Sequence, residues 1–192
     1  FGYRIARQFG HSVVEPRPAL VPLVFDAAQW APFAGLSGLS LPVTIRSASR
    51  MRFDEDLLFT HRGLSGPAVL QISTYWQPQT AIAIDLAAGA ALDTALIEAK
   101  QASRRQLGSL LGEHLPTRLA QTWLTHQGLD ATRPLPECRD RDLAALAASL
   151  RQWALTPSGT EGWKKAEVTA GGVDTTELDA RGFAVNLPPP HT

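Results

Sequence analysis

The spacing of apolar residues changes twice along the chain, and this change constrains the fold more than any other feature of the sequence. Between residues 11 and 86, short apolar runs rich in β-branched residues are separated by Pro and Gly, which is typical of closely spaced strands. Between Leu92 and Leu155, apolar residues recur every three or four positions, which predicts amphipathic helices. A strand-like pattern returns after residue 163. This order predicts an α+β fold, a small β-barrel with an inserted bundle of short helices.

The same changes predict the boundaries of the parts. Residues 1–91 are expected to form the first part of the barrel, residues 92–157 the inserted helical bundle, and residues 158–192 the returning strand or strands and a loose C-terminal tail. We expect three helices in the bundle, and the third should bury Trp153. The strand predicted at residues 163–169 is expected to complete the sheet of the barrel.

Charge and cysteine content argue against several classes of protein. The 192 residues include 18 Lys and Arg and 18 Asp and Glu, a balance that does not favour nucleic acid or an anionic membrane as a partner. Lys164 and Lys165 are interpreted as solvated surface charges. The single cysteine, Cys138, fits a reducing cytoplasm, and its polar surroundings predict an exposed thiol. The only methionine is Met51, so we expect the chain to be part of a longer protein.

Residues 59–73 carry the most informative motif. His61 and Arg62 precede Gly63 and a helical pattern that Ser65 is expected to cap, so this turn is suited to an anion or an electron-rich ring edge. The alternative is a capped helix whose neighbouring His and Arg side chains are simply solvated. The segment also approaches the nucleophile elbow of serine hydrolases, but Pro67 replaces its last glycine. A hydrolase using Ser65 and His61 would further need an acidic side chain within hydrogen-bond reach of His61.

A second motif lies at residues 166–173, where a short strand runs into Gly171 and Gly172. Two adjacent glycines indicate either a close approach of the backbone to a flat group such as a cofactor, or a hairpin-like turn. The chain has no glycine-rich dinucleotide fingerprint, no phosphate-binding loop and no zinc-binding histidine motif. We therefore expect no metal site, and no complete cofactor site within this chain.

Four segments together carry a resemblance to a known family. Residues 10–14, 17–23, 57–73 and 165–173 resemble, in order and spacing, the BaiN-like family of NAD(P)/FAD-dependent oxidoreductases, which are flavoproteins. The resemblance covers about residues 1–180, and the tail from Arg181 departs from the family pattern. In that family an insert with a β-barrel and a small helical subdomain separates two segments of an FAD-binding Rossmann-like domain. The present chain resembles that insert.

The resemblance implies a function for the complete protein. It would be a cytoplasmic oxidoreductase that uses FAD on a small-molecule substrate, with NAD(P)H as a further candidate cofactor. This chain would cover the flavin, shape the substrate cavity and contact the FAD-binding domain of the same polypeptide, and it would be inactive alone. The other function that the sequence leaves open is a stand-alone module that binds a protein or a small ligand.

The resemblance also implies candidate site residues. His61 and Arg62 are the candidate catalytic residues, one as an acid, base or hydrogen-bond donor and the other as an anion ligand. The candidate substrate-binding residues are Thr60, Gly63, Ser65 and Gly66. The candidate cofactor-binding residues are Thr169, Ala170, Gly171, Gly172 and Val173.

Overall fold

A computed structural model describes residues 1–177, and within that range it contains nine strands and seven α-helices. The strands are β1 (Val13–Ala19), β2 (Leu23–Val24), β3 (Ser40–Ser47), β4 (Arg52–Phe59), β5 (Gly63–Ser65), β6 (Ile82–Asp85), β7 (Trp153–Leu155), β8 (Gly159–Thr160) and β9 (Val168–Val173). The helices are α1 (Gly2–Gln8), α2 (Ala27–Trp30), α3 (Pro67–Ser73), α4 (Leu92–Ala102), α5 (Leu107–His114), α6 (Thr117–His126) and α7 (Asp140–Arg151). The loose tail expected from Arg181 onward, at the end of the part at 158–192, lies outside the described residues.

Seven of the strands form one antiparallel sheet in the order β7-β6-β3-β4-β5-β2-β8. If this sheet were flat, its two edge strands would lie about 29 Å apart, because neighbouring strands are about 4.8 Å apart. The edge strands are consecutive in the chain, however, and the short link from Leu155 to Gly159 spans at most about 14 Å. The sheet must therefore curl until its edges approach each other, and the predicted α+β fold with a small barrel is confirmed.

The helical segment is inserted between β6 and β7, as the sequence predicts, but it contains four helices instead of three. The apolar period from Leu92 to Leu111 predicts one continuous first helix, but this helix ends at Ala102. The chain becomes extended at Ser103, and Gln106 forms a β-bridge with Pro134. The third expected helix also ends earlier than predicted. Helix α7 stops at Arg151, and Trp153 begins β7, where it pairs with Ile84.

The returning strand does not complete the sheet, so that expectation is wrong. Strand β9 pairs with β1 in a separate two-stranded ribbon, and β7 and β8 occupy the edges of the main sheet instead. The hairpin-like turn considered for Gly171 and Gly172 is also wrong, because both glycines lie inside β9. Gly171 faces an irregularity in β1, and a Cβ atom there would lie only 2.6 Å from the carbonyl oxygen of Glu15. The close approach is therefore to the chain's own backbone.

One apolar core joins the barrel to the helical segment. Its centre is aromatic: the ring centroid of Trp153 lies 4.9 Å from that of Phe33 and 5.2 Å from that of Trp123 on α6. Trp30 stacks on Phe25 at 5.0 Å on the barrel side. Aromatic pairs at these distances add to the free energy of area burial, so the helices and the barrel are held in a fixed relation.

Candidate substrate groove

The motif at residues 59–73 folds as a β-hairpin followed by a helix. Leu58 pairs with Ser65 and Phe59 with Leu64, so residues 60–62 form the tip of the hairpin between β4 and β5. Because side chains alternate along a strand, the buried Phe59 and Leu64 face the core, while Leu58 and Ser65 face outward. The outer face of this hairpin is therefore available to a ligand.

The expected helix cap at Ser65 is wrong, because Ser65 is the last residue of β5 and Gly66 precedes helix α3. Gly66 has a φ of +85°, and a Cβ atom at this position would lie 2.8 Å from the amide nitrogen of Leu58. Both the backbone conformation and the close approach to β4 require glycine here. The first turn of the helix thus packs tightly on the hairpin instead of being capped by a hydroxyl group.

The backbone of the hairpin tip is fixed by hydrogen bonds from three directions. The carbonyl oxygen of Thr60 accepts a bond from the buried indole Nε1 of Trp30 at 2.9 Å. The carbonyl oxygen of Arg62 accepts a bond from the amide of Phe25 at 3.2 Å, and the hydroxyl of Thr60 bonds to both the amide and the carbonyl of Gly63. The side chains of His61 and Arg62 are nevertheless exposed. The tip therefore presents two polar side chains from a rigid backbone.

A second turn lies across from the hairpin tip. Residues 162–165 turn with a bond from the amide of Lys165 to the carbonyl of Gly162 at 3.1 Å. The turn is anchored on both sides, because the amide of Glu161 bonds to the carbonyl of Pro22 and that of Glu167 to the carbonyl of Leu20. Strand β2 pairs with both β5 and β8, which brings the two turns to one end of the barrel.

An open groove of about 640 Å³ separates the two turns, and we call it the substrate groove. It is lined by Pro22, Leu58, Thr60, His61, Arg62, Ser65, Glu161, Lys164 and Lys165. Three of these residues are Arg or Lys and one is a carboxylate, although the whole chain carries no net charge. The lining of the groove therefore carries a local excess of positive charge, which favours an anionic ligand.

The interpretation of Lys164 and Lys165 as mere solvated charge was incomplete. Both side chains are exposed, but the fold brings them to the same groove as His61 and Arg62. About a hundred residues separate the two pairs in the sequence, and only the pairing of β2 with β5 and β8 connects them. No local pattern reveals this neighbourhood.

The other candidate residues occupy different positions. Thr60 and Ser65 line the groove, whereas Gly63 is buried, and a Cβ atom there would lie 2.1 Å from the carbonyl oxygen of Leu23. None of residues 169–173 lines the groove, since they belong to β9. Beside Gly172, the ring of Tyr3 lies 3.5 Å from the position of a Cβ atom. Protein atoms thus fill the space next to both glycines of this strand.

The structure does not assemble the pairs of groups that hydrolysis requires. Among residues 1–177, neither the imidazole of His61 nor the hydroxyl of Ser65 has a hydrogen-bond partner, so they form no nucleophile and base pair with each other or with a carboxylate. The same range contains no group of three His, Cys, Asp or Glu side chains placed to hold a metal ion. No helix in the described part of the chain has both the length and the apolar character needed to cross a membrane.

The expectation of an exposed thiol at Cys138 is wrong. Cys138 is buried beside a small cavity of about 120 Å³, and its Sγ lies 3.6 Å from the carbonyl oxygen of Pro134. Burial raises the pKa of the Cys138 thiol, because the thiolate would lose its hydration. This side chain behaves as part of the core of the helical segment.

The chain belongs to the HI0933-like family, because residues 17–168 match the barrel and H2TH domain of HI0933-like proteins. It is 42% identical over 187 residues to the ribosomal RNA dihydrouridine synthase of Haemophilus influenzae (strain ATCC 51907 / DSM 11121 / KW20 / Rd), and the match covers 97% of this chain and 46% of that protein. It is 44% identical over 182 residues to the ribosomal RNA dihydrouridine synthase of Escherichia coli (strain K12), and the match covers 94% of this chain and 45% of that protein. The chain thus spans about half the length of these curated relatives.

Proposed function

We propose that this chain is the substrate-side domain of a flavin-dependent reductase that converts uridine to dihydrouridine in ribosomal RNA. Two likenesses of the sequence support this chemistry. The sequence resembles FAD-dependent oxidoreductases, and two relatives are named ribosomal RNA dihydrouridine synthases. Dihydrouridine is uridine whose ring has gained two electrons and two protons, which is a reduction that a flavin can perform. The observation that carries the proposal is the rigid hairpin tip, which presents His61 and Arg62 to an open, positively charged groove.

This proposal changes two of the expectations drawn from the sequence. The sequence predicts a small-molecule substrate, and its net charge of zero argues against nucleic acid as a partner. Net charge describes the whole surface, however, whereas a phosphate chain responds to the local field of Arg62, Lys164 and Lys165. We therefore take a nucleotide within RNA as the substrate, in the cytoplasm where ribosomal RNA is found.

His61 is proposed to hold the proton that the reduction requires. When the C5=C6 double bond of uridine is reduced, one carbon receives a hydride and the other a proton. A flavin bound by the rest of the complete polypeptide would supply the hydride. The imidazole of His61 is exposed on a fixed backbone, so it can deliver the proton and recover it from solvent. Arg62, beside it, would hold the anionic part of the substrate.

The described residues do not form a cradle for FAD by themselves. The space beside Gly171 and Gly172 is filled by the backbone of Glu15 and the ring of Tyr3, so no open pocket faces a cofactor at these glycines. Within residues 1–177, however, strand β9 pairs only with β1, and no other strand of that range lies along its second edge. We propose that residues 169–173 approach the cofactor along this edge, and that the rest of the polypeptide binds FAD and accepts electrons from NAD(P)H.

The ribbon of β1 and β9 also supports a contact with another part of the same polypeptide. Several large apolar side chains are exposed on this ribbon and on the neighbouring helix α1 and its ends, namely Phe1, Tyr3, Ile5, Phe9, Val14 and Val168. Such a concentration of exposed apolar surface marks an interaction site. We propose that this face packs against the FAD-binding part of the complete protein.

The test uses the complete polypeptide, incubated with NADH or NADPH and ribosomal RNA that lacks dihydrouridine. Mass spectrometry of the digested RNA measures dihydrouridine. His61→Gln should lower the rate by about a hundredfold, because a positioned general acid contributes that much or more. His114→Gln is the control, because His114 is exposed at the end of α5 and does not line the groove.

The outcomes separate the parts of the proposal. If the wild-type protein makes dihydrouridine and His61→Gln is as active as His114→Gln, the role of His61 is wrong. If the wild-type protein makes no dihydrouridine with either nicotinamide, the assignment of the substrate is wrong. If it also lacks flavin, the stand-alone binding module becomes the better account.

A further inference from the structure

We propose that the substrate groove binds RNA as a single strand, with Trp163 stacking on an unpaired base and Arg62, Lys164 and Lys165 holding the phosphates that flank it. This inference rests on the proposed function, and it adds where and in what form the RNA is held. It gives a role to Trp163, which neither the sequence motifs nor the packing of the core explains.

Trp163 is the one tryptophan of the chain that is outside the core. The other four, Trp30, Trp76, Trp123 and Trp153, are at least nine-tenths buried, whereas the side chain of Trp163 is 57% exposed. Among residues 1–177 its ring stacks on no other aromatic ring and its indole N–H has no hydrogen-bond partner. A large flat apolar ring left in water is suited to a partner with a flat face, and every nucleobase has one.

The position of Trp163 connects the ring to the charges of the groove. It directly precedes Lys164 in the turn at residues 162–165, and the anchors at Glu161 and Glu167 fix both sides of this turn on the barrel. The turn that carries the two lysines of the groove therefore also carries the Trp163 ring, which lies just outside the lining of the groove. Because the backbone of this turn is anchored, it loses little conformational entropy when a ligand binds. Alternation of a cation and an aromatic ring is the arrangement by which proteins hold single strands.

The chemistry of the groove favours single-stranded RNA over a duplex. Its floor is formed by small or apolar side chains, Pro22, Leu58 and Ser65, and its walls are two turns instead of a helix or an extended flat face. RNA duplexes are recognised mainly through the backbone across a wide minor groove, where an exposed ring has no unpaired base to stack on. Sequence-specific contacts with RNA instead use loops and bulges, whose bases can leave the stack. A uridine presented to His61 would have to leave its stack in the same way.

The lone carboxylate of the groove is consistent with this arrangement. Glu161 lies in the same turn region as Lys164 and Lys165. Its single negative charge is outnumbered by the three positive charges of the groove, so the lining stays positively charged overall. A ligand with phosphates on both sides of one nucleotide would engage the cations of both walls, Arg62 on one and the lysines on the other.

The experiment measures binding of a short fluorescein-labelled oligouridylate to the complete polypeptide by fluorescence anisotropy, over a series of salt concentrations. Lys164→Gln/Lys165→Gln should weaken binding about tenfold, and it should reduce the slope of log K against log salt by about 1.4, since each phosphate contact of a single strand contributes about 0.7. The matched control is Arg104→Gln/Arg141→Gln, which removes two exposed cations from the helical segment. Binding to an RNA duplex of the same length should be weaker than to the single strand for the wild-type protein.

Trp163 is tested by a pair of substitutions. Trp163→Leu keeps an apolar side chain but removes the aromatic plane, and it should weaken binding about fivefold or more, whereas Trp163→Phe should retain most of the affinity. Flavin content and the circular dichroism spectrum of each variant report on folding. If Trp163→Leu and Trp163→Phe bind RNA equally, or if both lose flavin, the ring packs on another part of the polypeptide and the stacking role is overturned.

The failure of this inference can be distinguished from the failure of the proposed function. If the wild-type protein makes dihydrouridine while the lysine variant has the same affinity and salt slope as its control, RNA is held elsewhere and the inference is wrong. If the wild-type protein binds the single strand as described but never makes dihydrouridine, the groove is an RNA site and the proposed reaction is wrong. Preference for the duplex would overturn the single-strand mode.

Discussion

The indole of Trp30 connects the core of the protein to the candidate site, and its substitution tests whether the hairpin tip is held as the structure indicates. Trp30→Phe keeps an aromatic ring beside Phe25 and Phe59 but removes the N–H that bonds to the carbonyl of Thr60 at 2.9 Å. An unpaired carbonyl at a partly buried position costs about 1–3 kcal/mol, and the smaller ring leaves space worth about 1–2 kcal/mol. The free energy of unfolding should therefore fall by about 2–5 kcal/mol.

The chain offers a matched control for this substitution. Trp76 is also buried, and its indole N–H bonds to the carbonyl of Thr80 at 2.9 Å, but Thr80 is not part of the substrate groove. Trp76→Phe should destabilise the protein by a similar amount. Only Trp30→Phe should also loosen the hairpin tip and lower the rate of dihydrouridine formation beyond the effect of lost stability.

Hydrogen exchange followed by mass spectrometry measures the local effect. In Trp30→Phe, the segment of residues 59–65 should exchange faster than in the wild-type protein, under conditions in which both remain folded. In Trp76→Phe, this segment should be unchanged and the segment around Thr80 should exchange faster. Equal exchange of residues 59–65 in the two variants would refute the claim that the indole of Trp30 fixes the tip.

Two further predictions concern packing and pH. Gly63→Ala should prevent correct folding of the hairpin, because the new Cβ atom would lie 2.1 Å from the carbonyl oxygen of Leu23. Gly35→Ala is the control, because a Cβ atom there has open space and should change the denaturation midpoint little. Equal denaturation midpoints for the two variants would contradict the prediction. Burial raises the pKa of the Cys138 thiol, so the folded state favours the protonated form. This contribution to stability is complete below the ordinary thiol pKa of about 8.5 and is lost as the pH rises through the raised value. Cys138→Ala should therefore flatten the fall of the unfolding free energy at alkaline pH, and an unchanged pH profile would show that the thiol does not contribute.

The order of the parts could be predicted from the sequence because hydrophobic period reports local structure directly. The strands at residues 40–47 and 82–85 and the helices of the inserted segment follow the change of period. Element ends were less predictable. Trp153 continues the helical spacing of Leu146 and Leu150, and only its pairing with Ile84, a tertiary contact, makes it the start of a strand.

Only those residues of the candidate site that belong to a local sequence motif could be predicted from the sequence. His61 and Arg62 stood out because they are polar residues inside a motif rich in glycine, and the fold places both of them on an open groove. The pairing of β8 with β2 brings Trp163, Lys164 and Lys165 to the same end of the barrel. A long-range strand pairing of this kind leaves no local pattern in the sequence from which the site could be predicted. Packing requires glycine at positions 63 and 66, because both residues lie directly against the backbone of neighbouring strands. These contacts could not be predicted from the sequence.

If the complete protein uses a flavin to reduce uridine in ribosomal RNA, as we propose, the visible absorbance spectrum of the complete polypeptide should respond both to nicotinamide and to RNA. The protein is purified without added cofactor and is reduced anaerobically with NADH or NADPH before ribosomal RNA lacking dihydrouridine is added. The account predicts the absorbance bands of oxidised flavin, their loss on reduction, and their return when the RNA is added. A protein without these bands, or a reduced flavin that the RNA does not reoxidise, would contradict the account.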